Sequence, residues 1–418
     1  MTEAASLDRV LEECFRREWP VLVGAVARIT GDLDRAEELV QDVLVTALDR
    51  WPFTGVPDRP GAWLLTAARN RARNALRDAA RERVRVQAAA ERAAVARLDP
   101  RDVPPIADDR LRLVFACCHP LLSPEAQVAL TLRLVGGLST RAIARAFLVP
   151  EPTVAQRLVR AKRTLAERGV RLDLPPEWRE RLSSVLGVVY LIFNEGYAAA
   201  HGPDLTRPDL CAEALALGDL LAELFPGEGE VHGLVALMEL QASRLAARVD
   251  DAGRLVVLAD QDRAVWDLER VNAGLAALRH AEQLGPRGPL VLQAAIAAEH
   301  ARAAAFEATD WAAIVALYDE LHDLTPSPVV ALNRSVAVAM ADGPAAGLAA
   351  LDEVVAGGEL DEYHLLWATR ADLVRRGGRP DEAAGDYRRA LACCANPAEL
   401  DHLRRRLAEC EALYENAG

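Results

Sequence analysis

The 418-residue sequence holds a single lysine, Lys162, so nearly all of its positive charge is arginine, a usage that GC-rich coding accounts for without a functional cause. Long apolar runs are missing too. The longest stretch free of charge, Leu182 to Asn194, falls well short of the roughly 20 apolar residues that a membrane helix needs. The acidic stretch Met1 to Asp8 has no signal-peptide pattern, so the expectation is a soluble, cytoplasmic protein with no membrane contact. Seven cysteines form no CxxC, and two pairs are adjacent (Cys117-Cys118 and Cys393-Cys394), so neither a disulfide framework nor a standard zinc spacing is present. No run of alternating β-branched residues lies between turn signals, which argues against a sheet and predicts an all-α chain. No Gly-rich phosphate loop and no nucleophile with oxyanion donors is evident, so neither an enzyme, nor a cofactor, nor a metal is expected.

What is there divides along the chain. Hydrophobic residues make up 51% and charged residues 27%, enough for two to four domains with real cores at about 100–200 residues each. The net charge of −13 hides an asymmetry: residues 1–172 carry 28 Lys+Arg against 22 Asp+Glu, and the remainder 21 against 40. A mildly basic front and a strongly acidic back suggest a part that faces nucleic acid joined to a part that avoids it.

Helical periodicity is strong throughout. Ala36, Leu39, Val40, Val43, Leu44, Ala47 and Leu48 follow the i, i+3, i+4, i+7 pattern, and Asp34 with Glu37 reads as a capping box. Breaks fall at 51–61, 99–109, 169–177 and 250–254, and Pro104-Pro105 marks the second as a linker. Leu138-Ser139 opens a short helix carrying Ile143, Ala144 and Phe147. After a turn at 148–151, Val154, Leu158, Ala161 and Leu165 line a second helix. This is a helix-turn-helix. Gln156, Arg160 and Arg163 point away from the buried face, flanked by Arg157 and Lys162. Residues 133–171 hold nine Lys+Arg and two acids, as a helix entering a major groove and gripping phosphates requires. A charged, solvated helix is the competing reading.

A second polar stripe follows Trp63. Leu65, Ala68, Ala72, Ala75, Leu76 and Ala79 make its apolar side, and Asn70, Asn74, Arg77 and Arg81 recur opposite, with Arg73 beside them. Amide and guanidinium groups suit base edges and phosphates. Trp63 lies beside the 51–61 loop, where an unstacked base could be held. Beyond residue 178 the chain turns to Ala/Leu-rich helices with short Gly/Pro turns. Trp367, Ala371, Val374, Gly378, Ala383, Tyr387 and Ala390 fit the pattern of an about 34-residue tetratricopeptide repeat, with Pro397 two residues late. An irregular Ala-rich bundle is the alternative.

The segments AEELVQDVLVTALDRW, RPGAWLLTAARNRARNALRDAARER and LSPEAQVALTLRLVGGLSTRAIARAFLVPEPTVAQRLVRAKRTL resemble, in this order, the two-domain core of an extracytoplasmic-function sigma factor of the sigma-70 family. The continuation, with YLIFNEGYAA and LADQDRAVWD, resembles the subgroup with a C-terminal tetratricopeptide-like domain. The resemblance implies a region 2 domain over 1–98, a linker over 99–110, a region 4 helix-turn-helix over 111–172 and a helical extension over 173–418. It implies RNA polymerase core (β′ clamp helices and β flap) and promoter DNA as partners. Exposed Glu37, Glu38, Gln41, Asp42 and Thr46 would meet the clamp. Arg59, Trp63, Arg69, Asn70, Arg73, Asn74, Arg77 and Arg81 would serve the −10 element, and Thr153, Gln156, Arg157, Arg160, Lys162 and Arg163 the −35 element. Ala155 stands where many members carry a basic residue, which throws more of the readout onto Gln156, Arg157 and Arg160.

The acidic extension is expected to modulate activity, either by folding onto the sigma domains or by taking a protein partner. A helix-turn-helix regulator or scaffold with a peptide-sensing repeat domain is the rival reading, and it has no need of the 36–49 helix or the Asn/Arg stripe. Cys117, Cys118 and His119 read as a buried pair beside a helix end rather than a metal site. The acidic groups at 250–254 and 260–262 read as a capped loop, and Asn194, Glu195 and Tyr197 as helix packing.

Overall fold

The computed structural model describes residues 18–87, 109–147, 149–170, 178–198, 206–250, 252–394 and 396–415. Most of the expected linker and most of the 169–177 break fall outside these residues. Among the described residues every extended element is a helix, and the sole pairing of strand type is an isolated antiparallel bridge between Val249 and Leu255. The all-α expectation holds. The chain divides into two compact units, Met1–Val188 and Val189–Gly418.

The first unit begins with α1 (18–30), α2 (Leu33–Thr54) and α3 (Pro60–Gln87). Trp19, Leu22, Val23 and Val26 of α1 are buried together with Ala36, Leu39, Val40, Val43 and Ala47 of α2 and Leu64, Ala68 and Ala72 of α3. The apolar stripe read from periodicity is therefore the buried one, although Leu48 and Leu76 lie at its solvent-facing margin, 49% and 42% exposed. The cap differs from expectation. Asp32, not Asp34, closes the start of α2, accepting from the backbone N–H groups of Asp34 at 2.8 Å and Arg35 at 3.1 Å. At its other end α2 continues past Trp51 through Pro52 to Thr54, where Gly55 takes a positive φ of 79° and ends it.

Four shorter helices complete the basic part: α4 (Asp109–Cys117), α5 (Pro124–Leu134), α6 (Thr140–Ala146) and α7 (Glu151–Glu167). Ser139 caps α6, its hydroxyl accepting from the Ala142 N–H at 3.1 Å. The buried residues of α7 are Val154, Leu158, Ala161 and Leu165, the four that the spacing singles out. Cys117 and Cys118 are core thiols. Cys117 Sγ donates to the Leu130 carbonyl and Cys118 Sγ lies 3.6 Å from Thr131 Oγ1. Burial raises both thiol pKa values, that of Cys118 to about 12. α8 (Trp178–Tyr197) crosses from the first unit into the second.

In the second unit, α9 (Pro208–Leu224) to α18 (Pro397–Glu415) follow one another, many opening on a proline in the first turn, where its missing N–H costs nothing. A core around Leu237, Leu240, Leu292 and Ile314 joins α10 (Gly229–Ala242), α11 (Leu268–Leu284), α12 (Pro289–Arg302) and α13 (Trp311–Leu324). A second core joins α14 (Pro328–Asp342), α15 (Pro344–Gly357), α16 (His364–Arg376), α17 (Pro380–Cys393) and α18. Trp367, Ala371, Val374, Ala383, Tyr387 and Ala390 all lie in that second core, with Gly378 turning between α16 and α17 at φ 81°. Asp250 closes its own loop, accepting from the Ala252 and Arg254 N–H groups and from Arg254 Nε at 2.7 Å, as the capped-loop reading expects.

Close helix packing makes glycines unequal. A Cβ on Gly233 of α10 would stand 2.8 Å from the backbone nitrogen of Val291, whereas one on Gly187 of α8 would meet nothing within 4 Å. Gly233→Ala should lower stability by about 1–3 kcal/mol through forced separation of α10 and α12. Gly187→Ala should raise it by about 0.5–1 kcal/mol. Thermal denaturation of the two variants checks the contrast.

Candidate nucleic-acid interface

The α7 face expected to read DNA is arranged as its pattern requires. Thr153, Gln156, Arg160 and Arg163 are exposed and Arg157 is half-buried. Arg163 Nε donates to Glu167 Oε1 at 2.6 Å, an exposed pair one turn apart that a phosphate can outcompete. Ala155 is also exposed, so its methyl group occupies a place on this face without a polar contact to offer.

On α3, Asn70, Arg73, Asn74 and Arg77 form an exposed stripe, with Arg77 Nη1 donating to Asn74 Oδ1 at 3.3 Å. Arg59 is exposed at the loop before it, and the Arg81 side chain lies outside those described. Arg69 is half-buried and turned toward Asp109, 3.8 Å away. Trp63 is half-buried because it packs edge-on against Trp51, with ring centroids 5.6 Å apart. Phe53, at the end of α2, is 90% exposed. Composition and periodicity gave no sign of it, because it falls in the segment read as a break.

The α2 residues expected to meet the clamp fare unequally. Glu38 and Gln41 are exposed and Thr46 is half-buried, as is Asp42, whose carboxylate accepts from Arg71 at 2.6 Å. Glu37, expected exposed, is buried. Its Oε2 lies 2.5 Å from Lys162 Nζ of α7 and its Oε1 2.6 Å from Arg133 Nη2 of α5, while Lys162 also donates to Asp34 Oδ1 at 2.8 Å. The Arg133 contact is an ion pair by distance and not an aligned hydrogen bond, since Glu37 Oε1 has no hydrogen-bond donor in line. Lys162, expected beside the reading face, therefore spends its charge inside the first unit, its side chain only 10% exposed. The helical wheel misplaced both residues for one reason: it shows each helix alone and cannot show that α2 and α7 face each other.

A second polar junction supports the first. Asp109, at the start of α4, lies 2.9 Å from Arg28 Nε of α1 and 3.1 Å from Arg112 Nη1, and its carbonyl abuts Gly24, where a Cβ could not fit. Sequence reasoning missed Arg133, Asp109 and Arg28 as partners; each was visible only as one charge among many. Burial pulls the Lys162 pKa down, but the Glu37 and Asp34 carboxylates outweigh it and leave it raised above the ordinary lysine value. The stability it supplies is thus fully present below that ordinary value and is lost as pH rises through the raised one.

Two arginine-and-amide faces on a pair of small helical domains, one of them a helix-turn-helix, define a DNA-binding protein of transcription. Residues 14–82 match sigma-70 region 2 and residues 112–165 match sigma-70 region 4. SigL of Mycobacterium tuberculosis, an ECF RNA polymerase sigma factor, is 33% identical over 172 residues, which is 40% of this chain and 95% of that protein. The chain belongs to the sigma-70 family, and its first two domains are those of a sigma factor. An uncharacterised protein of Rhizobium meliloti (strain 1021) is 42% identical over 398 residues, 93% of each chain. Residues 181–282 match a family of unknown function (DUF6596), where a tetratricopeptide-like array was expected.

Lys162→Met should destabilise the protein toward the lower end of the about 3–5 kcal/mol lost when one partner of a buried pair is removed, because Arg133 still faces Glu37. Adding Glu37→Gln to it should recover most of that loss. Melting curves of the single and double variants read this coupling directly.

Proposed function

We propose that the protein binds RNA polymerase core and directs promoter-specific initiation, with α3 serving the −10 element and α7 the −35 element. The observation that carries this reading is the presence, in one chain, of the exposed Asn70/Arg73/Asn74/Arg77 stripe and the exposed Gln156/Arg160/Arg163 face. In the major groove Gln156 offers a paired donor and acceptor to a base edge and Arg160 a pair of donors, while Arg157 and Arg163 reach phosphates. Phe53, with its ring in solvent beside the loop that ends in Arg59, suits stacking on an unpaired base. Gln41 and Glu38, the latter in an exposed ion pair with Arg35 at 2.5 Å, are the α2 residues placed to meet the polymerase clamp.

The Glu37 cluster makes this arrangement a resting one. With Lys162 drawn to α2, the DNA-reading helix and the clamp-facing helix are held to each other, and using both at once requires their separation. Removing one partner from such a cluster is costly, yet separating all of them returns every charge to water, so opening costs far less than mutation. A reversible latch has this energetic profile. The acidic extension modulates that latch or its partner. Its cleft of about 720 Å³, lined by Trp311, Tyr318, Asn333, Arg376, His402 and Arg406 among others, offers aromatic and cationic groups to a polypeptide segment.

Run-off transcription with core enzyme is the test of the function: the full chain should confer initiation at its own promoter, and failure to do so with any selected promoter would refute the reading. Arg160→Ala should cost about 1–3 kcal/mol of −35 discrimination. Arg133→Gln lies outside the proposed DNA and polymerase contacts and keeps a donor for the Leu138 carbonyl. It should raise affinity for core enzyme several-fold, as measured by fluorescence anisotropy.

A further inference from the structure

At the far end of the second unit, three metal-ligating side chains of different chemistry converge from separate helices. His364 is the first residue of α16, Cys394 follows the last residue of α17, and Glu399 lies in the first turn of α18. His364 Nε2 stands 3.2 Å from Glu399 Oε2, Cys394 Sγ stands 3.8 Å from the same oxygen, and the three ligand atoms all lie within 4.8 Å of one another. Bond lengths of about 2.0–2.1 Å to nitrogen and oxygen and about 2.3 Å to sulfur in a tetrahedron separate the ligand atoms by roughly 3.3–3.6 Å. The observed spacing is within a rotamer adjustment of that figure.

A plain histidine–carboxylate pair is the simpler account, and the geometry does not favour it. Nε2 of His364 is shielded from solvent and makes no hydrogen bond, although the carboxylate oxygen is near enough to accept one. The Cys394 thiol donates to that same oxygen, so the thiol, the carboxylate and the unpaired imidazole nitrogen share one small space. The support around them is firm. Asn396, itself buried, accepts through Oδ1 from the Ala398 and Glu399 N–H groups and so fixes the turn that carries Glu399. The Tyr363 ring packs edge-on to His364 at 5.8 Å. Trp367 Nε1 donates to the Asp361 carbonyl at 2.8 Å and pins the chain ahead of α16. Cys393, next in sequence, turns to the Asp361 carbonyl and takes no part.

We propose that His364, Cys394 and Glu399 bind a zinc-type dication, with a fourth position open to water. One nitrogen, one sulfur and one oxygen donor suit zinc, and the thiolate and imidazole disfavour magnesium and calcium, which take oxygen shells. The expectation of no metal came from cysteine spacing. His364 stands thirty residues before Cys394, and only the return of α17 against α16 brings the two together. The ion would staple the start of α16 to the α17–α18 turn and stabilise the folded unit by mass action.

Cobalt(II) titration of the metal-free full-length protein tests this. Wild type should bind one equivalent with a thiolate-to-cobalt charge-transfer band in the near ultraviolet and the intense visible bands of a tetrahedral ion, both displaced by zinc. Cys394→Ser should abolish the charge-transfer band, Glu399→Gln should weaken binding by more than about tenfold, and Cys393→Ser should leave the spectrum unchanged. Zinc should raise the melting temperature of wild type and not that of Cys394→Ser. Absence of the band in wild type, or its survival in Cys394→Ser, would overturn the proposal, and the wild-type result stands even if a variant fails to fold.

Discussion

A carboxylate buried between two cations governs the first unit. Glu37 has left water, and a bare carboxylate in an apolar setting is untenable, so Lys162 and Arg133 must stay beside it. Those two residues sit on α7 and α5 of the helix-turn-helix domain, while Glu37 sits on α2 of the preceding one. One electrostatic requirement therefore fixes the register of two domains that sequence alone presents as separate. The chain's single lysine, Lys162, serves this cluster. An ammonium is a compact point charge that can serve Glu37 and Asp34 together, whereas a planar guanidinium needs room to lay its fork against one carboxylate.

The two halves of the chain solve different problems. The first keeps its polar faces exposed on α3 and α7 and adds ion pairs at Glu37 and Asp109 to its apolar core. The second carries the acidic excess and builds two continuous helical cores from Ala, Leu and Val with glycines at close approaches such as Gly233. A surplus of negative charge on such an extension disfavours its approach to nucleic acid.

Much of this was legible before any coordinates. The four buried residues of α7 and the exposed Gln156, Arg160 and Arg163 follow from one period, because a helix packed on one side has no freedom in which face it hides. The all-α class followed from the absence of alternating patterns. What could not be read were contacts between elements. Glu37 and Lys162 looked solvated because periodicity knows nothing of a neighbouring helix; Asp32 took the cap from Asp34 because one earlier residue sat in extended geometry; and Phe53 hid in a stretch whose prolines and glycines suggested only a break. His364, Cys394 and Glu399 were equally invisible, since their meeting depends on the path of three helices.

The central claim is that α2 and α7 are held together at rest and part when the protein works. Energy transfer between dyes placed by unnatural amino acids at Leu48 and Val159, both exposed, measures that separation in the full chain. High transfer in the free protein, falling when RNA polymerase core and promoter DNA are added, is the result this account predicts. Unchanged transfer in a complex that initiates transcription would contradict it.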